Sequence, residues 1–248
     1  MIDDVFTTVA IQVNPNKSID YIERSKNLIN SVLNFTDKDI IVVTNEIEKY
    51  DLPSNQRIKI FDITQKTQEK FISGGLFNTH LKRIPISIAT ELGYKNIMYC
   101  DCDTYFENWD EDAYQKLISM DFDIAFKGGT QLNDLLHLPH YSRKVVEMED
   151  LWFDDLKKSS MMAEVFILFK NNPKLKEFNN FWDKISEKNS EFKHNTYYDS
   201  FYFGVCMYKS KMIGMNFKNH KRDLFDFTKN WKIKHGQNST LDFYGIRI

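Results

Sequence analysis

Two carboxylates stand one residue apart in Asp101-Cys102-Asp103, at the end of the apolar run Asn96-Ile97-Met98-Tyr99-Cys100. Side chains alternate between the faces of an extended chain, so Asp101 and Asp103 share one face while Met98, Cys100 and Cys102 share the other. Two hard oxygen ligands converging at a strand end suit Mg²⁺ or Mn²⁺, ions that one or two carboxylates plus substrate phosphates hold without an all-protein cage. A solvated strand-end turn is the competing reading of so short a triplet. Other chemistry-bearing residues are sparser. His137 and His140 have a zinc-like spacing, but Pro139 lies between them and no cysteine is near, so a plain loop accounts for them better. The acidic run from Glu147 to Asp155 reads as a solvated face. The sequence has no Gly-Lys-Ser/Thr phosphate loop and no Gly-x-Ser-x-Gly elbow, so the P-loop NTPase and α/β-hydrolase readings lack their chemistry.

The elements that must position the triplet follow from periodicity. Val5 to Val13 is an apolar, β-branched run that stops at Asn14-Pro15-Asn16, a first buried strand and its turn. Ser18 stands where it can cap a helix whose stripe is Ile19, Ile22, Ile29 and Leu33. Ile40 to Thr44 and Arg57 to Asp62 read as further strands. This strand, helix, strand order favours an α/β fold with a central, mostly parallel sheet and helices on both faces. Phe77, Leu81, Ile84, Ile88 and Leu92 keep helical spacing up to Gly93, which suits the position after a helix end, and Pro85 starts or kinks that helix. Tyr94-Lys95 then leads into the strand bearing Asp101. The carboxylates are therefore expected at a strand's C-terminal end, where open α/β sheets bind ligands. Further on, the pattern predicts a helix starting near Asn108 to Asp112, strands over Phe122 to Phe126 and Ala163 to Phe169, and a loop at Gly128-Gly129. It also predicts a helix from Asn172-Pro173 with Leu175, Phe178, Trp182 and Ile185 inward, and a weaker strand at Met212 to Phe217. The aperiodic segment Thr130 to Ser160 reads as a lid or acceptor-facing insertion.

The bulk of the chain is compatible with one such domain. Its 248 residues are 42% hydrophobic, enough for a sizeable core, and no repeat or low-complexity linker divides them. A formal charge of -2 argues against attachment to nucleic acid or membrane by charge alone. From Lys209 to Ile248, however, nine basic residues face three acidic ones, so the C-terminal segment is distinctly basic. Three cysteines, with Cys100 and Cys102 too close for an ordinary disulfide, fit a reducing, cytoplasmic setting. The acidic start Met1-Ile2-Asp3-Asp4 lacks the basic and apolar regions of a signal peptide, and no apolar run reaches the length of a membrane span.

The run Phe77-Asn78-Thr79-His80-Leu81-Lys82-Arg83 through Asn96-Ile97-Met98-Tyr99-Cys100-Asp101-Cys102-Asp103-Thr104 resembles the core of GT-A type glycosyltransferases, in which a helix with a basic residue precedes an Asp-x-Asp strand. The retaining, glycogenin-like and lipopolysaccharide-galactosyltransferase-like branch has the nearest pattern. The resemblance implies a single GT-A-like, Rossmann-like catalytic domain over residues 1-248, with 1-106 as the nucleotide-binding half and 107-248 as the acceptor and metal-completing half. It also implies roles. Asp101 meets the ribose or a metal-bound water, and Asp103 ligates the Mn²⁺ or Mg²⁺ that bridges the donor diphosphate. Either Lys82 or Arg83 approaches the nucleotide or its phosphates. The base sits at the ends of the first two strands, by Gln12, Val13, Asn14, Thr44 and Asn45. Met161-Met162-Ala163-Glu164-Val165-Phe166 resembles the strand beside the donor sugar, which makes Glu164 the polar residue at the reacting centre; a strand-edge carboxylate turned to water is the alternative. Tyr197-Tyr198-Asp199-Ser200 resembles the segment that opens the next helix, where Asp199 orients a sugar hydroxyl, serves as base, or simply caps. Lys232-Ile233-Lys234-His235-Gly236 resembles the C-terminal segment that puts a histidine on the metal and a lysine near the diphosphate, which assigns those roles to His235 and Lys234. The family's lysine-proline-tryptophan extension after that histidine is absent.

The implied activity is metal-dependent transfer of a sugar from a nucleotide-diphosphate sugar, a UDP-sugar first, to an acceptor hydroxyl of glycan or lipopolysaccharide type. The basic C-terminal segment also tolerates an anionic polymer such as modified DNA. Nucleotidyl transfer ranks lower, because Asn14-Pro15-Asn16-Lys17 supplies no Gly-rich basic loop after the first strand. A nucleotide- or glycan-binding module without turnover is the non-enzymatic alternative. The residues leave retention and inversion both open.

Overall fold

The first strand, β1 (Asp4–Ala10), is apolar and β-branched because it is buried on both faces: Val5 points into one core, Phe6 and Ala10 into the other. In this computed structural model residues 3–12, 20–51, 54–64, 81–131, 160–190, 214–219, 232–235 and 239–242 are described, with Phe203, Cys206, Met207, Lys209 and Ser210. β1 lies within a seven-stranded sheet together with β2 (Asp39–Thr44), β3 (Ile58–Asp62), β4 (Asn96–Cys100), β6 (Ile124–Gln131), β7 (Ser160–Lys170) and β8 (Phe217–Asn219), in the order β3-β2-β1-β4-β7-β6-β8. The pairs β1–β2, β2–β3, β1–β4 and β6–β8 are parallel. β7 runs against both its neighbours, β4 and β6, so the sheet is mixed. A second sheet joins β5 (Thr104–Phe106), β9 (Lys232–His235) and β10 (Ser239–Asp242) in antiparallel fashion.

Helices cover both faces. Against one face pack α2 (Arg83–Glu91) and α4 (Pro173–Ser190), through Ile86, Ala89, Leu175, Phe178 and Trp182. Against the other pack α1 (Tyr21–Phe35) and α3 (Glu111–Ser119), through Ile22, Leu28, Ile29, Tyr114 and Leu117. Burying each of these large side chains contributes ~1.5–3 kcal/mol. The sequence stripes of α1 and α4 are thus the buried ones at Ile22, Ile29, Leu175, Phe178 and Trp182. At the N-terminal edge of the sheet, buried Lys38 donates to both carboxylate oxygens of Glu111 at 2.9 and 2.8 Å and stands 4.5 Å from the centre of the Tyr114 ring. Among the described residues no helix is long and apolar enough to cross a membrane.

Four local expectations need correction. The cap of α1 is Asp20, whose carboxylate accepts from the Ile22 and Glu23 amides at 2.9 and 3.0 Å, one residue before a helix that begins at Tyr21; Ser18, proposed above for that role, lies outside the described residues. Gly128-Gly129 is no loop but part of β6, and the register against β7 slips on both sides of Gly128, a bulge that a residue without a side chain accommodates. The late strand begins only at Phe217, because Gly214 at φ +78 and buried Met215 form the turn before it. β7 starts at Ser160, earlier than the apolar run alone indicates. The expectation at Gly93 matches: at φ +82 it ends α2 in a Schellman turn, with Tyr94 N to Ala89 O at 3.2 Å and Gly93 N to Thr90 O at 3.1 Å. That turn aims the chain into β4.

Candidate functional site

β1 pairs with β2 on one side and β4 on the other, and the chain visits β2 and β3 before returning to β4. The strand order therefore reverses between β1 and β4, and the helices beside those strands diverge to opposite faces. Such a switch point leaves a crevice outside the C-terminal strand ends. Gln12 lies beyond the end of β1, and Asp101 to Asp103 form the turn that joins β4 to β5.

Asp101 is 8% exposed. Its Oδ1 lies 2.8 Å from Lys82 Nζ and accepts the Tyr99 hydroxyl at 3.1 Å, while its carbonyl accepts Thr104 N at 3.1 Å and Thr104 Oγ1 at 2.6 Å. Lys82 Nζ also stands 5.7 Å from the centre of the Tyr99 ring. Asp103 Oδ2 lies 3.3 Å from Arg24 Nη1. The turn thus meets two cations from opposite faces: Arg24 from α1 and Lys82 from the residue preceding α2. Burial pushes the Cys102 thiol above its ordinary range, Asp103 and Asp101 push it further, and Lys82 opposes them. Burial also raises the Tyr21 hydroxyl, with Cys102 and Asp103 adding to the rise and Arg24 opposing it, which puts Tyr21 in the same corner.

Of the two basic residues on the helix before the triplet, Lys82 reaches the acidic turn, whereas Arg83 pairs with Asp183 of α4. Gln12 and Asn45 clasp each other: Asn45 Nδ2 donates to Gln12 O and Gln12 N donates to Asn45 Oδ1, both at 3.0 Å. Gln12 Oε1 accepts Tyr21 N at 3.3 Å, which ties this clasp to the start of α1. Buried Thr44 accepts Glu46 N through Oγ1 at 3.1 Å. These side chains brace the β1/β2 edge. Val13, Asn14 and Asp199 lie outside the described residues. Glu164, Lys234 and His235 are described by backbone position alone. Phe166 of β7 is opposite Cys100, so Glu164 lies on the stretch of β7 that extends beyond β4. His235 is opposite Thr104 and Lys234 opposite Tyr105, so β9 runs alongside the chain leaving the acidic turn. Among the described residues no group of three or more His, Cys, Asp or Glu gathers to hold a metal.

No family model matches the chain, and neither does any curated protein. Among solved structures it is similar to the apo structure of the bifunctional glycosyltransferase WbbM, with a TM-score of 0.51 at 12% identity, over 88% of this chain and 38% of that one. It is also similar to the apo crystal structure of mouse xyloside xylosyltransferase 1, with a TM-score of 0.49 at 9% identity, over 88% of this chain and 85% of that one. The chain spans well under half of the WbbM chain. At these identities the likeness is one of fold: a many-stranded mixed sheet between helices, broadly Rossmann-like.

Arg24 is not among the residues singled out above, although its position carries a signal. Four residues after the Asp20 cap, Arg24 closes the opening turn of α1, where the helix dipole disfavours a cation.

Proposed function

We propose that this chain is a GT-A-like glycosyltransferase, nearest in pattern to the retaining glycogenin-like and lipopolysaccharide-galactosyltransferase-like branch. It transfers sugar from a nucleotide-diphosphate sugar, a UDP-sugar first, to an acceptor hydroxyl of glycan or lipopolysaccharide type. One observation carries the reading: the acidic turn at the switch-point edge, with Lys82 2.8 Å from Asp101 and Arg24 3.3 Å from Asp103. Paired carboxylates beside paired cations suit a ligand that is itself a divalent cation joined to a diphosphate. The two Asp carboxylates are hard oxygen donors and fit Mn²⁺ or Mg²⁺, with His235 as the third ligand. Bound there, the ion supplies positive charge to the leaving diphosphate.

The chain's own residues do the rest. Lys82 holds Asp101 in place and, with Lys234, adds positive charge toward the phosphates. The Gln12–Asn45 clasp presents the strand edge to the base, a role the resemblance also gives to Val13 and Asn14. Glu164 and Asp199 position sugar and acceptor. Arg83, tied to Asp183, steadies α2. The shared fold with a bifunctional glycosyltransferase supports transfer of sugar over transfer of nucleotide.

Incubation with a panel of nucleotide sugars and Mn²⁺ tests the reading. Released nucleoside diphosphate supports it, pyrophosphate replaces it with nucleotidyl transfer, and binding without product replaces it with a binding module. Asp103→Ala should lower turnover by at least ~10²-fold. Near-normal turnover in that variant sinks the assignment.

A further inference from the structure

β5 carries the chain away from the acidic turn, yet it takes no place in the seven-stranded sheet and is an edge strand of the smaller one. Among the described residues no backbone ladder ties it to β1 or β4, so its seat depends on side chains. Thr104 and Phe106 are its buried ones. Phe106 packs edge-on against Phe6 of β1 with ring centres 5.3 Å apart, and Trp109 closes the triangle at 5.4 Å from Phe6 and 5.5 Å from Phe106. At such spacings and angles aromatic quadrupoles attract. Trp109 stands one residue before Asp110, the cap of α3, and its ring lies 5.1 Å from that of Tyr114, the fourth residue of that helix. A hydrophobic staple at the start of α3 accounts for this last contact. It does not account for the contacts with Phe6 and Phe106, or for the polar end of the indole. There Nε1 donates to Glu111 Oε2 at 2.6 Å, and the same carboxylate takes Lys38 Nζ at 2.9 and 2.8 Å and Gln115 Nε2 at 2.7 Å.

What β5 carries gives these contacts a consequence. β9 pairs with it, His235 opposite Thr104, Lys234 opposite Tyr105 and Ile233 opposite Phe106. Laddered strands keep a spacing of about 4.8 Å, so a displacement of β5 is passed on to β9. We infer that Trp109 is a positioning residue: it seats β5 on β1, and through the β5–β9 ladder it sets where the backbone of Lys234 and His235 stands relative to the acidic turn. The inference rests on the metal–diphosphate reading above for what those two residues do, and on the packing alone for the seating. It makes the N-terminal edge of the sheet, where Lys38 and Glu111 lie, the anchor of a strand that begins at the acidic turn. α1 packs on β5 as well, so loss of the indole loosens the strand without releasing it.

Hydrogen exchange in the full chain without ligand, read by mass spectrometry on peptides covering Thr104–Phe106 and Lys232–His235, tests the seating. Trp109→Leu removes the aromatic contacts and the indole donor, and should speed exchange ~2- to 10-fold in both segments, the range for one aromatic pair. Trp109→Phe keeps a ring and loses the donor, and should fall between; it decides the same point should Trp109→Leu fail to fold. Leu175→Val truncates the core under α4 on the other face, and should lower the melting temperature while leaving both segments as in the parent. Mn²⁺ is then titrated, followed by loss of the free-ion paramagnetic resonance signal. Trp109→Leu should bind it ~10-fold or more weakly, as when a metal ligand loses its support, and Leu175→Val should bind it like the parent. If exchange in both segments is unchanged by the Trp109 variants, or rises as much in Leu175→Val, Trp109 is core packing alone and the inference is overturned. Parent-like Mn²⁺ affinity in Trp109→Leu, where the parent binds, overturns it too. A parent that binds no Mn²⁺ sinks the metal reading instead, and the exchange arm still decides the seating.

Discussion

Removing the ammonium of Lys82 by Lys82→Met takes the Lys82 cation from the Asp101 carboxylate while keeping an unbranched side chain over the Tyr99 ring. The ion pair is 2.8 Å long, and its side chains are 14% and 11% exposed. Breaking a buried pair from one side costs ~3–5 kcal/mol, because the remaining charge is left desolvated. Here Asp101 keeps the Tyr99 hydroxyl and some contact with water, so the expected cost falls to about 2–3 kcal/mol. Asp101→Asn leaves the ammonium facing an amide and should cost less, and in the double variant both charges of this pair are gone. The double-mutant cycle should therefore return a coupling of about 1.5–3 kcal/mol. Urea unfolding of the four proteins measures it, with equal slopes confirming that the unfolding reaction is the same in each. Lys82→Met alone should also melt ~4–10 °C lower. A coupling below about 0.5 kcal/mol would mean that water screens the contact and that something other than Lys82 holds the first carboxylate. This half of the site would then not be assembled before a ligand arrives.

Two further outcomes follow from the fold. Burial pushes the Tyr50 phenol from 10.0 up to about 12, so the native protein keeps this proton after the unfolded chain has lost it. Its contribution is intact below pH 10.0 and is lost as pH rises toward 12, by up to ~2.7 kcal/mol; alkaline urea unfolding should show this decline, and Tyr50→Phe should flatten it, an unchanged slope counting against the burial. Gly93 ends α2 at φ +82 with nothing within 4 Å of a built Cβ, so Gly93→Ala should cost only backbone strain, about 1–2 kcal/mol and ~2–8 °C in melting temperature; an unaltered melting temperature would show that the helix does not end in the left-handed turn.

What the sequence made legible was local. An apolar run closed by two carboxylates, a glycine after a helical stripe, and the buried stripe of Leu175, Phe178 and Trp182 each involve neighbours a few residues apart. The direction of β7 was not legible, because a strand buried on both faces reads the same whichever way it runs. Gly128-Gly129 reads as a turn by local chemistry, and only pairing with β7 turns it into a bulge. The choice between Lys82 and Arg83 depends on the phase with which α2 starts, since adjacent positions on a helix diverge by about 100° and Arg83 is carried toward Asp183. Arg24 is 79 residues from Asp103, so their pairing belongs to topology.

That topology also explains how the acidic turn comes to be held from two sides. At the β1/β4 switch point the helices leave toward opposite faces, so a turn there receives one cation from α1 and another from the start of α2. Asp101 immediately follows the last residue of β4 and is caught between Lys82, Tyr99 and the Thr104 turn, so it is part of the scaffold that brings β4 into β5. Asp103 sits two residues further along, beyond the strand, and Arg24 reaches it from α1. The same short motif therefore asks different things of its two carboxylates. Loss of the first is expressed in stability, as the Lys82–Asp101 cycle measures, as well as in what the site binds.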